Sequence, residues 1–576
     1  MKQRFKWVAA SVVAVALAAG GFYRWPLASA RVASEAGARG WPGGIVMRGP
    51  GKASISLLPV PALHLIDAEW DGKTGAPVLT SPRADFRLAV LPLMAGRLEF
   101  TGVTLRQPTA FIDLDVERLD LAEPTGASVG AHWPRELTIS QGLIHIASAH
   151  RRIDALIEDV EGSLDFSGPT GPLSASFRTT WRDEPVSIGL SLDRLAPQAD
   201  GAGSAASASI EIGKASLKFE GRLFDDARLE GSLGASVPAS TPLRRLFGLP
   251  DDAFVPLQDI SLDGRLRADR NSAELTPAHL SIGGQRVEGA LTVEAKEGPV
   301  ALSGTLAGDA INLDKFLAAA PNLFDPAGGW SAARMNLPDF SALALDLRVS
   351  AARVDWRGHA IDNAALAMIG RDGKWSLTLV EAAAYKGIVK GELSAQRKGA
   401  GLAVHAAANL AGADVGAMLG DFGIKALSGQ GAGEFSLDAE GGSPRDLVGG
   451  LRGDAAFKIS NGAVEGVSFE EALRRSARRS IDPANDMRMG RTIFSEADAR
   501  FRIAEGRAHI VDASLIGPGV NVKVDGDLDL VERRIAARAA ASQTDGAGAP
   551  APDGQRLIFN LSGPWMAPSV TPGSGG

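Results

Sequence analysis

Apolar and polar residues alternate along much of this chain, most regularly at residues 520–530. Successive side chains of a β-strand point to opposite faces of a sheet, so strict alternation gives one apolar and one polar face. The segment therefore predicts an amphipathic strand with a polar face at Asn521, Lys523, Asp525, Asp527 and Asp529. Its apolar face consists of Val520, Val522, Val524, Gly526, Leu528 and Leu530.

The same alternation recurs in the middle of the chain, for example at residues 216–223, 260–269 and 343–352. Many of these segments are followed or interrupted by glycine, which is typical of turns and bulges. Helical periodicity is confined to a few short segments. The pattern predicts a mostly β protein, in which an elongated, antiparallel, β-rich array contains a few short helices.

A strand, a turn and a helix are predicted in succession after residue 451. The strand around Phe457 runs into Asn461-Gly462, which is a strong hairpin-turn signal. An amphipathic helix is predicted from Ser468 to Arg479. Ser468 is a suitable N-cap, and Glu470 and Glu471 lie in the first turn, where the helix dipole favours negative charge.

A hairpin and a long strand complete this succession. Thr492 and Phe494 follow the helix after a loop, and the next strand contains Phe501 and Ile503. Glu505-Gly506 then predicts a turn into a second strand, which precedes the alternating segment at 520–530.

The N-terminus predicts export. Three basic residues precede an uncharged run at residues 7–23. As a helix this run would span about 26 Å, which is just enough for the hydrocarbon core of a bilayer. We expect a single-pass anchor in the inner membrane, with the bulk of the chain in the periplasm. A cleaved signal peptide is the alternative, since Ala28-Ser29-Ala30 fits a cleavage site. Both interpretations export the chain.

Composition excludes several kinds of chemistry. The chain has no cysteine, so disulfides, thiolate metal sites and cysteine nucleophiles are excluded. A net charge of -7, with both signs interspersed, gives no reason to expect nucleic acid. The eight histidines are scattered, without the spacing of a metal site, and there is no nucleophile elbow or phosphate-binding loop. We therefore predict no catalytic residues, no cofactor and no metal.

The order of elements from Phe457 to Leu530 resembles the C-terminal module of the AsmA family. The turn Leu91–Gly96 resembles that family's N-terminal region, and Gly563-Pro564 with Pro568 resembles its closing motif. The resemblance implies four regions. They are a leader and transmembrane anchor at 1–30, an N-terminal β region at 31–125, a β-rich middle array at 126–410, and a C-terminal module at 411–576 with a flexible loop at 539–555.

The resemblance also implies a function. AsmA-like proteins are thought to fold a long sheet into a U-shaped groove, whose apolar interior suits acyl chains. We therefore expect a non-enzymatic envelope protein that carries phospholipids between the inner and outer membranes. Candidates for lining the groove are Val520, Val522, Val524, Leu528, Leu530, Phe501 and Ile503. An unbroken apolar face over many successive strands would favour this function.

Two questions stay open at the level of sequence. Four arginines of the predicted helix and its end, Arg474, Arg475, Arg478 and Arg479, would contact anionic headgroups or an acidic partner, or would form a solvated face that Glu470 and Glu471 partly neutralise. The alternative function is a periplasmic interaction factor that assists outer-membrane protein assembly. That function needs an exposed edge strand that can pair with a client strand of an outer-membrane or periplasmic partner.

Overall fold

The computed structural model describes most of the chain, and strands dominate the described part. The described residues are 20–28, 46–71, 77–95, 99–113, 135–148, 153–168, 171–194, 201–238, 259–295, 299–317, 322–335, 343–356, 358–399, 401–421, 427–476, 490–544, 555–565 and 568–573. The chain divides into two compact units. Unit 1 comprises residues 1–249 and 257–275, and unit 2 comprises residues 250–256 and 276–576. The prediction of a mostly β protein is confirmed.

The described part of unit 1 contains fourteen strands, most of which pair with their neighbours in sequence. These are β1 Trp25–Leu27, β2 Val46–Ser56, β3 Ala62–Asp71, β4 Pro77–Leu88, β5 Phe100–Arg106, β6 Thr109–Asp113, β7 Glu136–Ser148, β8 Ile153–Phe166, β9 Leu173–Trp181, β10 Glu184–Leu192, β11 Ser204–Ile212, β12 Ala215–Leu223, β13 Leu229–Val237 and β14 Ile260–Ala268. A short helix, α1 Val90–Met94, follows β4. The next strand, β15 Ser272–Ile282, contains the point at which the two units are divided.

Unit 2 contains the remaining strands and four short helices. The strands are β16 Gln285–Glu294, β17 Val300–Asn312, β18 Leu343–Trp356, β19 His359–Arg371, β20 Lys374–Ala384, β21 Gly387–Lys398, β22 Gly401–Asp414, β23 Leu427–Gly441, β24 Arg452–Glu465, β25 Arg491–Ala504, β26 Arg507–Gly517, β27 Val520–Asp529, β28 Arg534–Gln543, β29 Arg556–Pro564 and β30 Ser569–Pro572. The helices are α2 Leu313–Leu317, α3 Val415–Asp421, α4 Pro444–Gly449 and α5 Phe469–Ser476.

The strand pairings that the structure describes are mostly antiparallel in both units, as predicted, and three of them are parallel. In unit 1, β7 pairs in parallel with both β5 and β6. In unit 2, β17 pairs in parallel with β18. A parallel pair needs a crossover connection rather than a tight turn, and the chain between β17 and β18 provides one that begins with α2.

The two predicted turns have different outcomes. Glu505 and Gly506 have positive φ values of 50° and 70° and join β25 to β26, so the prediction of a two-residue hairpin is confirmed. The hairpin turn predicted at Asn461-Gly462 is wrong. Both residues lie inside β24, where Ser460 and Gly462 pair with the same neighbouring strand. Asn461 has a φ of 52°, so the local sequence forms a bulge within a longer strand.

Three further sequence expectations concern the ends of elements. β28 extends to Gln543, so the expected loop at 539–555 loses its first five residues to a strand, and 545–554 lie outside the described residues. The helix expected to end at Arg479 is described as Phe469–Ser476. Of the expected anchor, residues 7–19 lie outside the described residues. Within the part of the chain that the structure describes, no helix is long and apolar enough to cross a membrane.

Candidate functional site

In unit 2, one row of apolar residues crosses fourteen successive strands without a charged side chain. Each member pairs directly with the next across the sheet, so all of them share one face. From β16 to β29 the row is Leu291, Gly304, Leu347, Met368, Leu377, Leu393, Ala406, Leu437, Gly453, Ile503, Ala508, Leu528, Ile535 and Gly563. The row therefore forms a continuous apolar face rather than a set of scattered hydrophobic residues.

A second apolar row lies beside the first on the same face. From β16 to β26 it consists of Gly289, Leu306, Val349, Leu366, Leu379, Gly391, Ala408, Phe435, Ala455, Phe501 and Ile510. Phe501 contacts Phe457, and the two ring centroids are 6.2 Å apart in an edge-to-face arrangement. The apolar face is therefore at least two side chains wide over eleven strands.

The opposite face of the same strands is polar and carries cross-strand ion pairs. Lys398 Nζ lies 2.6 Å from Glu440 Oε1, and Arg500 pairs with Asp512 at 2.9 Å. Lys458 contacts Glu496 and lowers the pKa of that carboxyl through its hydrogen bond and its charge. These ion pairs therefore lie on the face opposite to the two apolar rows.

Much of the apolar face is partly exposed to solvent. Leu393 is 46% exposed and Phe457 is 38% exposed, whereas a leucine or phenylalanine in a closed core is almost completely buried. Leu291, Leu347, Met368 and Leu377 are half-buried. A contiguous exposed apolar surface on a protein marks a binding site more often than a defect of folding.

Unit 1 has an apolar row of the same kind over thirteen strands. It runs through Trp25, Ile55, Leu63, Phe86, Val103, Leu137, Leu164, Ala175, Leu190, Ala208, Phe219, Leu233 and Gly264. At the β1–β5 end the row is closed into a core that contains Leu63, Phe86 and Val103. Further along, Leu190 and its neighbour Ile188 are 42% and 40% exposed.

A closed cluster also ends the apolar face of unit 2, where α5 covers the sheet. Phe469, Ala472 and Leu473 of the helix pack against Val520, Val522, Ala539, Ala541 and Phe559. Val520 and Val522 are 1% and 2% exposed. These two predicted groove residues therefore lie in a closed core, and an acyl chain cannot contact them while α5 is in place.

The other predicted groove residues lie outside that closed cluster or at its border. Ile503 and Leu528 are members of the first row and Phe501 is a member of the second, with Ile503 buried and the other two half-buried. Val524 packs at the border of the closed cluster. Leu530 lies just after β27, where its carbonyl accepts a hydrogen bond from Trp330 Nε1 at 2.8 Å. Contact of these residues with lipid stays a prediction.

Of Thr492 and Phe494, which the sequence singled out without a role, Thr492 positions the covering helix and Phe494 belongs to a separate buried cluster. Thr492 Oγ1 accepts a hydrogen bond from the Phe469 amide at 3.0 Å and donates to the Val467 carbonyl at 2.7 Å. Phe494 is 1% exposed and packs with Val415 and Ile459. The predicted N-cap is also confirmed, because Ser468 Oγ accepts from the Glu471 amide at 3.3 Å. The helix is thereby held over the sheet at its N-terminal end.

The predicted basic cluster is only partly described. Arg474 forms an ion pair with Glu471, one turn earlier on α5, and its side chain is 64% exposed. Arg475 belongs to the helix, but its side chain is outside the described part, and Arg478 and Arg479 lie outside the described residues. The pair with Glu471 agrees with a partly neutralised helix face, and contact with headgroups stays a prediction.

Ser56, His64 and Asp85 form a hydrogen-bonded series on the polar face of β2–β4. Ser56 Oγ lies 2.9 Å from His64 Nε2, and His64 Nδ1 lies 2.7 Å from Asp85 Oδ1. Burial opposes ionisation of Asp85, but hydrogen bonds from His64 and Arg83 outweigh it and lower the pKa of that carboxyl.

This order of groups is the one used in acyl transfer, but the surroundings differ from those of a hydrolase. Ser56 is 6% exposed, and the amides of Leu57 and Leu58 both donate to the Gly21 carbonyl, so they are not free to stabilise an oxyanion. We interpret the series as a structural cross-link. Histidine–aspartate pairs of the same kind join neighbouring strands at His145–Asp154, His405–Asp438 and His509–Asp527. Within the described ranges, no group of three or more His, Asp or Glu residues is arranged to hold a metal ion.

The last strand of unit 2 offers little for pairing with a client strand. β30 has four residues, Ser569–Pro572, and ends in a proline that cannot donate a backbone hydrogen bond. Short edges that contain proline are a common means of preventing further strand addition. This edge does not favour the alternative of an assembly factor.

Part of the sequence also matches a known protein family. Residues 282–513 match the model of the AsmA family. That match assigns residues 282–513 to the AsmA family. It covers less than half of the chain, and it contains ten of the strands that carry the first apolar row, from β16 to β25, together with α5. No curated protein matches the sequence.

The family match and the motifs that resemble the family overlap only in part. The match includes residues 282–410, which none of those motifs covers, and it includes the C-terminal module up to residue 513. It does not include Leu91–Gly96 or Gly563-Pro564, so the resemblance at those two motifs stays an interpretation of the sequence.

Proposed function

We propose that this protein carries phospholipids between the inner and outer membranes of the envelope, without chemical turnover. In this proposal it is anchored in the inner membrane through residues 7–23, and its strands lie in the periplasm. The observation that carries the proposal is the row from Leu291 to Gly563, which contains no charge over fourteen strands. Neighbouring strands are about 4.8 Å apart, so the row extends for roughly 60 Å along the sheet.

The chemistry of such a face suits acyl chains better than a defined small molecule. Each methylene removed from water contributes about 0.8 kcal/mol, and this contribution needs no particular orientation of the ligand. Aliphatic side chains of similar character recur on every strand, so a chain can shift along the row without losing a specific contact. In the family's groove-like arrangement the acyl chains would lie inside, while the headgroups stay near the open side.

The test compares two aspartate substitutions on opposite faces of one sheet. Leu393 lies in the first row and is 46% exposed, whereas Ile369 neighbours Met368, points to the opposite face and is 43% exposed. A carboxylate among acyl chains costs about 2.5–3.5 kcal/mol on insertion scales. The full-length protein is extracted gently and washed, and its retained lipids are quantified by mass spectrometry. We expect phospholipid on the wild type and on Ile369→Asp, and clearly less on Leu393→Asp.

Two outcomes would contradict the proposal. One is a folded wild-type protein that retains no phospholipid. The other is equal retention by Leu393→Asp and Ile369→Asp, since that would mean that the apolar face does not hold the lipid. Urea unfolding of each variant, measured in parallel, separates lost binding from lost folding.

A further inference from the structure

A second exposed apolar surface lies in unit 1, at one end of its first strands and in the connections between them. Trp25 at the start of β1 pairs with Ile55 near the end of β2, and Ser56 pairs with Ala62 at the start of β3. Ala62 in turn pairs with Arg87 near the end of β4. The connections next to these positions therefore lie side by side at the same edge of the sheet.

Apolar side chains at this edge point into solvent. The set, which we name the tip patch, consists of Phe22, Tyr23, Leu57, Leu58, Leu91 and Met94, with exposures of 61%, 58%, 46%, 38%, 79% and 81%. Backbone hydrogen bonds fix their positions, since the Leu57 and Leu58 amides donate to the Gly21 carbonyl at 2.9 and 2.8 Å. The Leu88 amide donates to the Pro61 carbonyl at 2.8 Å and so places α1 beside the β2–β3 connection.

The tip-patch residues are not part of the hydrophobic core of unit 1. The closed cluster of that unit is formed by side chains within the strands, such as Leu65, Phe86 and Val103, and these are almost completely buried. Leu91 and Met94 of α1 are by contrast among the most exposed large hydrophobic residues described in the chain. Residues 57–61 and 89–95 contain no charged residue at all.

The sequence that leads into the tip patch identifies what covers it. Residues 7–19 are uncharged, residues 20–22 are helical, and Phe22 and Tyr23 follow directly in the patch. Arg24 then stands between Tyr23 and Trp25, whose rings meet edge to face at 5.3 Å. A basic residue beside amphipathic aromatic side chains, at the end of an apolar run, is typical of protein segments that lie at the boundary between lipid headgroups and hydrocarbon. Trp25 is also the first member of the apolar row of unit 1.

We propose that the tip patch inserts into the surface of a phospholipid bilayer, so that the apolar row of unit 1 begins at the membrane. Apolar loops that enter the boundary between headgroups and acyl chains hold a protein there by their buried apolar area. Trp25 then stands where an acyl chain leaves the bilayer for the sheet. This inference rests on the proposed role in phospholipid transport.

The absence of cysteine allows a direct test in the full-length chain. Leu57→Cys, Leu91→Cys and Leu156→Cys are each labelled with an environment-sensitive fluorophore. Leu156 is the matched control, because it is also a leucine of unit 1, is also 46% exposed, and lies near the start of β8, towards the opposite edge. Each protein is reconstituted into vesicles of phosphatidylethanolamine and phosphatidylglycerol, with and without lipids that carry a quencher on the acyl chain.

We expect a blue shift and several-fold stronger quenching at Leu57 and Leu91 than at Leu156. In the Leu91→Glu/Met94→Glu background, the quenching of the probe at Leu57 should fall to the level at Leu156. Quenching at Leu57 and Leu91 no greater than at Leu156 would overturn the inference. Retained lipid, measured on the same extracted and washed proteins before reconstitution, separates the two proposals. Retained lipid without quenching would support phospholipid transport and reject insertion of the tip patch. Quenching without retained lipid would support insertion and reject transport.

Discussion

Val522 and Leu393 occupy equivalent places on the apolar face of unit 2, yet one is sealed and the other is open. Val522 is 2% exposed because α5 lies over it, whereas Leu393 is 46% exposed. Both residues come from strands with the same alternation of apolar and polar positions. The alternation therefore decides which face a side chain occupies, and a covering element decides whether that face is core or surface.

Unit 1 shows the same contrast over a longer stretch. Its first strands close around Trp70 and Leu65, each 1% exposed, while Ile188 and Leu190 of β10 are 40% and 42% exposed. In both units a closed cluster supplies the stability that a half-exposed sheet lacks. The open strands leave part of their aliphatic side chains exposed to solvent.

The largest expected effect on the free energy of unfolding comes from placing a carboxylate at the sealed position, and the comparison is the same substitution at the open position. Val522→Asp should destabilise unit 2 by about 3–5 kcal/mol, because a buried carboxylate without a partner is left under α5. Leu393→Asp should cost less than about 1 kcal/mol, since its carboxylate reaches water. The free energy of unfolding in urea gives both values. Equal losses of stability would show that the two positions are equally enclosed and would remove the distinction.

A smaller effect is expected where the covering helix is attached. Thr492→Val keeps the shape of the side chain but leaves the buried Phe469 amide and Val467 carbonyl without this partner. The expected loss of stability is about 1–3 kcal/mol. The control is Thr492→Ser, which keeps the hydroxyl and should cost less. If valine is tolerated as well as serine, the hydroxyl does not hold α5 in place.

The closed end of unit 1 predicts a dependence on pH. The pKa of Asp85 is lowered in the folded state, so its contribution to stability is present above the pKa of the unfolded carboxyl and is lost as pH falls below about 4. Asp85→Asn should therefore lower stability at neutral pH by about 1–3 kcal/mol. It should also flatten the loss of stability in acid.

Asp154→Asn is the matched control for this effect. Asp154 pairs with His145 at the same distance of 2.7 Å, but its side chain is 85% exposed. Stability measured in urea between pH 3 and 7 compares the two variants with the wild type. An acid slope that Asp85→Asn leaves unchanged would place the titrating group elsewhere.

Much of this arrangement could be predicted from the sequence, because alternation is a local signal. The strand at 520–530, the cap at Ser468 and the turn at Glu505-Gly506 each depend on neighbouring residues only. Whether Val522 is sealed depends on α5, which is about fifty residues earlier in the chain, and no local pattern contains that contact. The bulge at Asn461 was missed for a related reason. Asn-Gly allows positive φ in a hairpin turn and in a bulge, and only the pairing on both sides of β24 distinguishes them.

The register of the sheet could not be predicted from the sequence either. Leu347 could be placed on an apolar face, but its continuation through Met368, Leu377 and Leu393 depends on the strand pairing. The predicted groove residues therefore came from two well-patterned segments, five from residues 520–530 and two, Phe501 and Ile503, from the preceding hairpin. Two of those candidates, Val520 and Val522, lie under the helix that the same analysis had predicted.

The smallest expected effect concerns Arg474, on the outer side of the helix that closes the sheet. Its ion pair with Glu471 is exposed, and such pairs contribute about 0.2–0.5 kcal/mol. Arg474→Ala should therefore change the free energy of unfolding by less than about 0.5 kcal/mol, and Arg474→Lys by less still.

The composition of the retained lipid then decides what the arginine does. A lower share of phosphatidylglycerol in Arg474→Ala, at unchanged stability and with Arg474→Lys close to wild type, would assign the residue to headgroup contact. An unchanged share would leave it as a solvated partner of Glu471.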